Sequence, residues 1–233
     1  MNLNTLYSIV LLFMCFSLDG ISQDLPDKSK GTVTYSYFLN KVGLKETYVF
    51  KFNKYESVYY HHQLGSSFTT PEGYEIFTPK KFFSWYLNSK TKKVTENQKL
   101  KNDKVVFASF DAIPIEWEIQ EETKVIIGYI VQKAIAKRHH FVKGKGNFEY
   151  GEAVAWFAID LPYNSGPERF WGLPGLILEI SFTQFSGIYT AEKIDFEPVG
   201  NLVPNQGIQI TKEELYKDKP WLGQARDLMN KDN

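Results

Sequence analysis

From residue 32 to residue 39 the chain alternates Thr32, Thr34 and Ser36 with Val33, Tyr35, Tyr37 and Leu39. This two-residue period belongs to a strand with one buried face. The turn Asn40-Lys41-Val42-Gly43 closes a hairpin, and Tyr48, Phe50 and Phe52 then alternate with Thr47, Val49 and Lys51. Asn53-Lys54 turns the chain into a third strand over 57–62, so the region reads as an antiparallel meander. Residues 65–81 hold Ser, Thr, Gly and two prolines and predict a long loop with one short strand at 74–77. The meander resumes at 82–87, turns at Asn88-Ser89, and continues through a polar, solvent-facing strand at 92–98 and another at 105–109.

Ile113-Pro114 interrupts before Trp117-Glu118-Ile119, and Gln120-Glu121-Glu122 leads into a strand over 124–137 expected to bend at Gly128. The basic turn at 143–147 and strands at 153–160, 176–183 and 188–196 complete roughly ten or eleven strands by this periodicity. Only the tail reads as helical: Thr211 and Glu214 fit a capping box, and Pro220 suits the start of a second short helix. The predicted fold is mainly β: a single antiparallel, strongly curled sheet forming an open or closed barrel, with a short C-terminal helical tail. Curling is expected because so many consecutive strands must protect their edges.

The chain is organised around residues 166–180. Leu173-Pro174-Gly175-Leu176 predicts a type II turn with Gly175 at positive φ, and the strand beyond it places Leu176, Leu178, Ile180 and Phe182 on one apolar side. Ahead of the turn, residues 166–171 form a loop that would present Glu168, Arg169, Phe170 and Trp171 to a ligand or partner. A device that simply aims a core strand has the same pattern.

Gly172-Leu173-Pro174-Gly175-Leu176-Ile177 also spells a family name. Trp117-Glu118-Ile119, Thr123-Lys124, Ile127-Gly128-Tyr129, Lys133-Ala134, Ala155-Trp156-Phe157 and Gly166-Pro167 follow the same family's order. The chain resembles GLPGLI family proteins over about residues 117 to 180. The resemblance implies an exported bacterial protein of a group without known function. Val131 stands where many relatives carry a cysteine, and Trp156-Phe157-Ala158 replaces a frequent Trp-Tyr-Thr, so thiol chemistry does not extend to this chain.

Composition adds a compartment. The apolar run Ile9 to Phe16 is too short for a membrane anchor and reads as a signal peptide over 1–22, cleaved near Ser22-Gln23. A β-rich domain over 23–210 and a helical tail over 211–233 follow. Cys15 is the only cysteine, so the mature chain would rely on packing rather than disulfides in the periplasm or outside the cell. Lys plus Arg and Asp plus Glu are both 27, which gives no basic face for a nucleic acid. No further segment is apolar enough for a transmembrane helix.

Chemistry is sparse. His61-His62 and His139-His140 are adjacent pairs whose members point to opposite strand faces, so they are weak metal candidates unless one of each meets across neighbouring strands. Glu116 and Glu118 share a face, and the glycine amides at 143–147 would suit an anion; solvated strands and turns look the same. No nucleophile elbow, phosphate loop or dinucleotide fingerprint occurs, and no cofactor is implied. With Trp117, Tyr129, Trp156, Asp160, Glu168, Arg169, Phe170 and Trp171 as the binding candidates, three functions stay open, the least specific being a structural protein that presents a sheet edge or the tail helix to a larger assembly. Of the remaining two, one is a non-catalytic envelope module that holds an apolar ligand or docks an outer-membrane partner. The other is a periplasmic hydrolase or metal-dependent enzyme using Asp160, Glu168, Arg169 and a histidine.

Overall fold

The computed structural model describes residues 28–39, 43–63, 67–69, 73, 75–77, 81–100, 104–142, 147–183, 187–204 and 207–217. In chain order the elements are β1 (Gly31–Leu39), β2 (Leu44–Phe52), β3 (Glu56–Gln63), β4 (Ser67–Thr69), β5 (Glu75–Phe77), β6 (Lys81–Asn88) and β7 (Lys93–Lys99). There follow β8 (Val105–Asp111), β9 (Glu118–Ile126), β10 (Tyr129–Val142), β11 (Asn147–Ala158), β12 (Leu176–Phe182), β13 (Gly187–Asp195), β14 (Ile208–Gln209) and the single-turn helix α1 (Lys212–Leu215). Twelve strands make one sheet in the order β14-β8-β7-β6-β3-β2-β1-β13-β12-β11-β10-β9, and β4 and β5 pair separately. Every pairing in the sheet is antiparallel except β14 with β8.

The expected class and most strands are present, and the capping box at Thr211 and Glu214 forms, although the helix it starts is only four residues long. The second helix expected from Pro220, the leader and residues 143–146 of the basic turn lie outside the described residues, and Asn147 begins β11. β9 and β14 stand at opposite ends, and no pairing joins them among the described residues, so the hydrogen-bonded ladder is open and not a closed barrel.

Three further expectations are corrected. The strand predicted over 124–137 is two strands, β9 and β10, joined by a two-residue turn with Ile127 at φ 43° and Gly128 at φ 84°. Two positive φ values give the turn the twist that antiparallel strands need, and β-branched Ile127 concealed it because such residues rarely sit there. Gly175 is absent from the positive-φ residues, where Gly172 appears at 104°. What Gly175 supplies is room, since a Cβ there would lie 2.1 Å from the Ala158 carbonyl oxygen. Finally, β7 is not solvent-facing: Val94, Thr95, Glu96 and Asn97 are all buried.

The core lies on one face of the sheet. Val33 and Tyr35 of β1, Tyr48, Phe50 and Phe52 of β2, Tyr59 of β3, Trp85 and Leu87 of β6, Phe157 of β11 and Ile180 of β12 join it. Residues 159–175 return across this inner face and add Leu161, Tyr163, Phe170, Trp171 and Leu173. That segment forms no ladder of the sheet, so single amides and side chains satisfy its backbone, with one isolated bridge between Ser165 and Trp171. Leu176 N donates to Leu161 O at 2.8 Å and Ile177 N to Ser165 O at 3.1 Å. Trp117 Nε1 donates to Trp171 O at 2.8 Å, and Trp171 Nε1 to Ile113 O at 3.1 Å.

On the outer face a smaller group forms from Val58, Tyr86 and Leu202, with Tyr60 and Val199 against it. The chain after β13 therefore crosses the back of β3 and β6, adds β14 beside β8, and returns through α1 to place Tyr216 against Phe110, 6.4 Å between rings. It straps one end of the sheet.

Gly175→Ala should destabilise the protein by about 3 kcal/mol, because backbone on both sides of the contact must move. Gly200→Ala, with nothing within 4 Å of the added carbon, should stay within about 0.5 kcal/mol. Urea unfolding of the two variants distinguishes close approach from a general intolerance of alanine.

Candidate functional site

The segment over the inner face carries the charges. Phe170 N donates to Pro167 O at 3.3 Å, closing a turn in which Glu168 holds φ 53°. A left-handed backbone costs a residue with a Cβ about 1–2 kcal/mol, and here it sends adjacent side chains to different partners. Tyr189 Oη donates to Glu168 Oε1 at 2.5 Å. Arg169 Nη2 instead donates to Glu96 Oε1 at 3.1 Å.

Glu96 has no exposed surface, and Tyr216 Oη donates to its other oxygen at 2.5 Å while Gln98 Nε2 donates to Oε1 at 2.7 Å. The Arg169 guanidinium lies over Phe83 at 5.2 Å and Trp85 at 5.1 Å. Arg138 of β10 comes from the far side of the sheet, its guanidinium 4.2 Å from the Phe182 ring centre and 5.8 Å from that of Phe170. Removing one partner of a buried pair such as Arg169 and Glu96 costs about 3–5 kcal/mol.

Four tyrosines wall the Glu168 side. Tyr37 and Tyr189 lie 4.5 Å apart between ring centres, and Tyr48 is 5.6 Å from both Tyr59 and Tyr189. They stand together because each occupies an inward position of β1, β2, β3 or β13. Tyr48 Oη donates to Glu46 Oε2. The Tyr59 hydroxyl differs: it is buried on the Tyr189 and Glu168 side, where no well-aligned hydrogen bond reaches it among the described residues and its polar contact is the Tyr189 hydroxyl, which acts to lower its pKa.

Burial is the main cause of raised pKa values at Tyr59 and Tyr189, with the Glu168 carboxylate acting in the same direction. Burial and then Glu168 and Glu46 raise Tyr37, whereas Tyr48 is raised by burial and its bond to Glu46. Burial lowers the pKa of Arg138, opposed by Glu168. Burial would also lower Arg169, but Glu96 leads the charges that raise it overall. Tyr37, Glu46, Arg138, Glu168 and Phe182 are only partly buried, so the polar side of the cluster reaches the surface while Tyr48, Tyr59 and Tyr189 are buried behind it. It offers hydroxyl, carboxylate and guanidinium groups for hydrogen bonding.

Of the residues singled out in the sequence, Glu168, Arg169 and Phe170 are at this cluster, and Trp117 packs on Phe170 at 6.2 Å and bonds the Trp171 carbonyl. The others have different neighbours. Trp156 lies under Lys124 Nζ at 4.3 Å, Lys124 pairs with Glu179 at 2.6 Å, and Lys28 stands 5.7 Å over Tyr129. Asp160 is exposed in the turn after β11, and Glu116 and Glu118 are exposed too.

The histidine pairs occupy β3 and β10, which five strands separate, so they do not meet across neighbouring strands. Among the described residues no three His, Cys, Asp or Glu side chains converge as a metal site. Sequence reasoning missed Arg138, Glu96, Glu46 and the tyrosine wall. The available signal was tyrosine, with its polar tip, repeating at inward strand positions where phenylalanine would pack as well.

Residues 117–179 match a family described as "Protein of unknown function (Porph_ging)". The matched segment contains Arg138, Glu168 and Arg169, and it overlaps the stretch that resembles GLPGLI proteins. No curated protein matches the chain. Among solved structures, PNGF-II in its P21 and C2 crystal forms is similar, with 18% and 19% identity and a TM-score of 0.57 for each. The likeness covers 82% of this chain but 32% of PNGF-II, so the chain spans about a third of the structures it matches. At that identity it is a likeness of fold.

The tyrosine shifts set an alkaline limit. Buried Tyr35, Tyr59 and Tyr189 all have raised folded-state pKa values, so only the unfolded chain releases their protons just above pH 10. Their stabilisation is complete below about pH 10 and declines above it by about 1.4 kcal/mol per pH unit for each tyrosine. Urea titrations between pH 9 and 11 should show this fall, and Tyr35→Phe should reduce its slope by one such increment. An unchanged slope in that variant refutes the assignment.

Proposed function

We propose that the protein is a non-catalytic binding module whose ligand binds at the polar side of the Glu168 cluster. The observation that carries this reading is the buried Tyr59 hydroxyl. Buried polar groups without a well-aligned hydrogen bond are few in folded proteins and need an explanation, and this one, whose polar contact is Tyr189, lies beside strained Glu168 and among buried charges, a combination that gathers at functional sites.

We infer that the sheet curls around residues 159–175. Arg138 on β10 and Glu96 on β7 stand eight strand spacings apart in the sheet order, about 38 Å if the sheet were flat. Neighbouring residues Arg169 and Phe170 nevertheless contact both. Such a curl, filled by Leu161, Tyr163, Trp171 and Leu173, favours a polar site at its mouth over an apolar ligand deep inside.

The formal charges of Glu46, Glu96, Glu168, Arg138 and Arg169 leave the cluster slightly negative, which disfavours an anion. An uncharged ligand with several hydroxyl groups and an apolar face fits best: its hydroxyls would meet Tyr59, Glu168 and Arg138, and its face a tyrosine or phenylalanine ring. Isothermal titration with a panel of neutral oligosaccharides tests this. Tyr59→Phe should leave unfolding stability within about 1 kcal/mol, since it removes a hydroxyl whose polar contact, to Tyr189, is poorly aligned, yet weaken binding about tenfold. Equal binding by that variant would overturn the site, and turnover of the bound compound would favour the hydrolase reading.

Export forms part of the same proposal. The apolar run and the cleavage point near Ser22-Gln23 support a periplasmic or secreted module. Expression of the full chain in a bacterial host should yield a mature protein whose intact mass begins at Gln23; an uncleaved mass would refute this.

A further inference from the structure

The two ends of the sheet are finished differently. At one end β14, α1 and Tyr216 cover β8 with the chain's own backbone and side chains. At the other, β9 pairs with β10 alone among the described residues.

Proteins usually blunt a free edge with lysine, proline or a bulge. β9 has no proline, and its single lysine, Lys124, is drawn away by Glu179 at 2.6 Å and Trp156 at 4.3 Å. A register irregularity does occur, opposite Gln132 and Ala134, and Gln132 Nε2 satisfies the Gln120 carbonyl there at 2.7 Å. Beyond it the ladder runs regularly from Thr123 to Ile126.

This regular portion borders an apolar surface. Val125 and Ile130 oppose each other in register and are 67% and 64% exposed. Ile159 follows Ala158, the partner of Val131, and is 56% exposed. Large branched side chains this open on two paired strands and the turn beside them are unusual on a solvated sheet face.

The charge along the edge selects what can cover it. Glu116, Glu118 and Glu121 are exposed and have no cationic partner among the described residues, whereas Glu122 is paired with Lys133 at 2.8 Å. A second copy of the chain would set these carboxylates against themselves, and like charges across a strand pair are destabilising.

We propose that β9 receives an extended segment of another protein, carrying basic residues alternating with branched apolar ones, as an added antiparallel or parallel strand. Main-chain bonds would supply the pairing, Val125 and Ile130 the apolar contact, and the glutamates the choice of partner.

The test uses the full chain and two synthetic peptides, acetyl-KVKVKVK-amide and acetyl-EVEVEVE-amide. Hydrogen exchange should show the basic peptide slowing amides of β9 between Thr123 and Ile126, while the acidic peptide leaves them unchanged. A Glu118→Lys, Glu121→Lys double variant should weaken that binding about tenfold or more, and surface position Val125→Thr should weaken it without changing the unfolding midpoint. Equal binding of both peptides, protection confined to other surfaces, or full affinity in the charge-reversed variant would each overturn the proposal. So would a homodimer in sedimentation whose protected amides are those of β9. The proposal is separate from the ligand site, so Tyr59→Phe should bind the basic peptide as the unaltered chain does.

Discussion

Glu96 is a carboxylate with no exposed surface, placed in the middle of a strand, and the inner side of the molecule is arranged to tolerate it. A lone charge there would be expensive, so Arg169, Tyr216 and Gln98 converge on its two oxygens. Each convergence fixes something larger. Arg169 anchors the returning segment of residues 159–175, and Tyr216 anchors the chain's passage from the back of the sheet to the front. The ion pair is weak evidence for stability in itself, because desolvation offsets most of its attraction. Its effect is to specify one position for two long irregular segments that have few backbone partners of their own.

Once Arg169 is committed to Glu96, Glu168 has a defined place as well. The left-handed turn sends it to Tyr189, and the tyrosines of four inward strand positions gather around it. Local strain, buried charge and a poorly bonded hydroxyl thus arise where one segment crosses the inner face of the sheet.

Much of this architecture was legible in the chain. Period-two alternation in β1, β2 and β12 marked the strands, and Thr211 with Glu214 marked a helix start, because both signals act between residues close in sequence. β7 reads as polar for a physical reason: Glu96 looks solvent-facing until a guanidinium and a tyrosine 73 and 120 residues away cover it, and Thr95 until Ser109 of the neighbouring strand bonds it. Gly175 was recognised as necessary, but for the wrong one of glycine's two properties. Its neighbour Ala158 belongs to another strand, and no local pattern announces such an approach. Glu168 and Arg169 stood out beside their prolines and glycines, whereas Arg138 in a long strand did not.

The bond from Tyr216 to Glu96 joins the end of the described chain to the interior of its sheet, and this bears on the order of assembly. The central strand β1 cannot acquire its neighbour β13 until residue 187 and beyond exist, and Glu96 lacks a hydroxyl until Tyr216 arrives. Such distant contacts make folding slow relative to local ones. A chain emerging from a ribosome or a membrane channel would therefore keep its most charged interior open until residue 216 was available, closing only after the segment that carries Tyr216 had come round the edge.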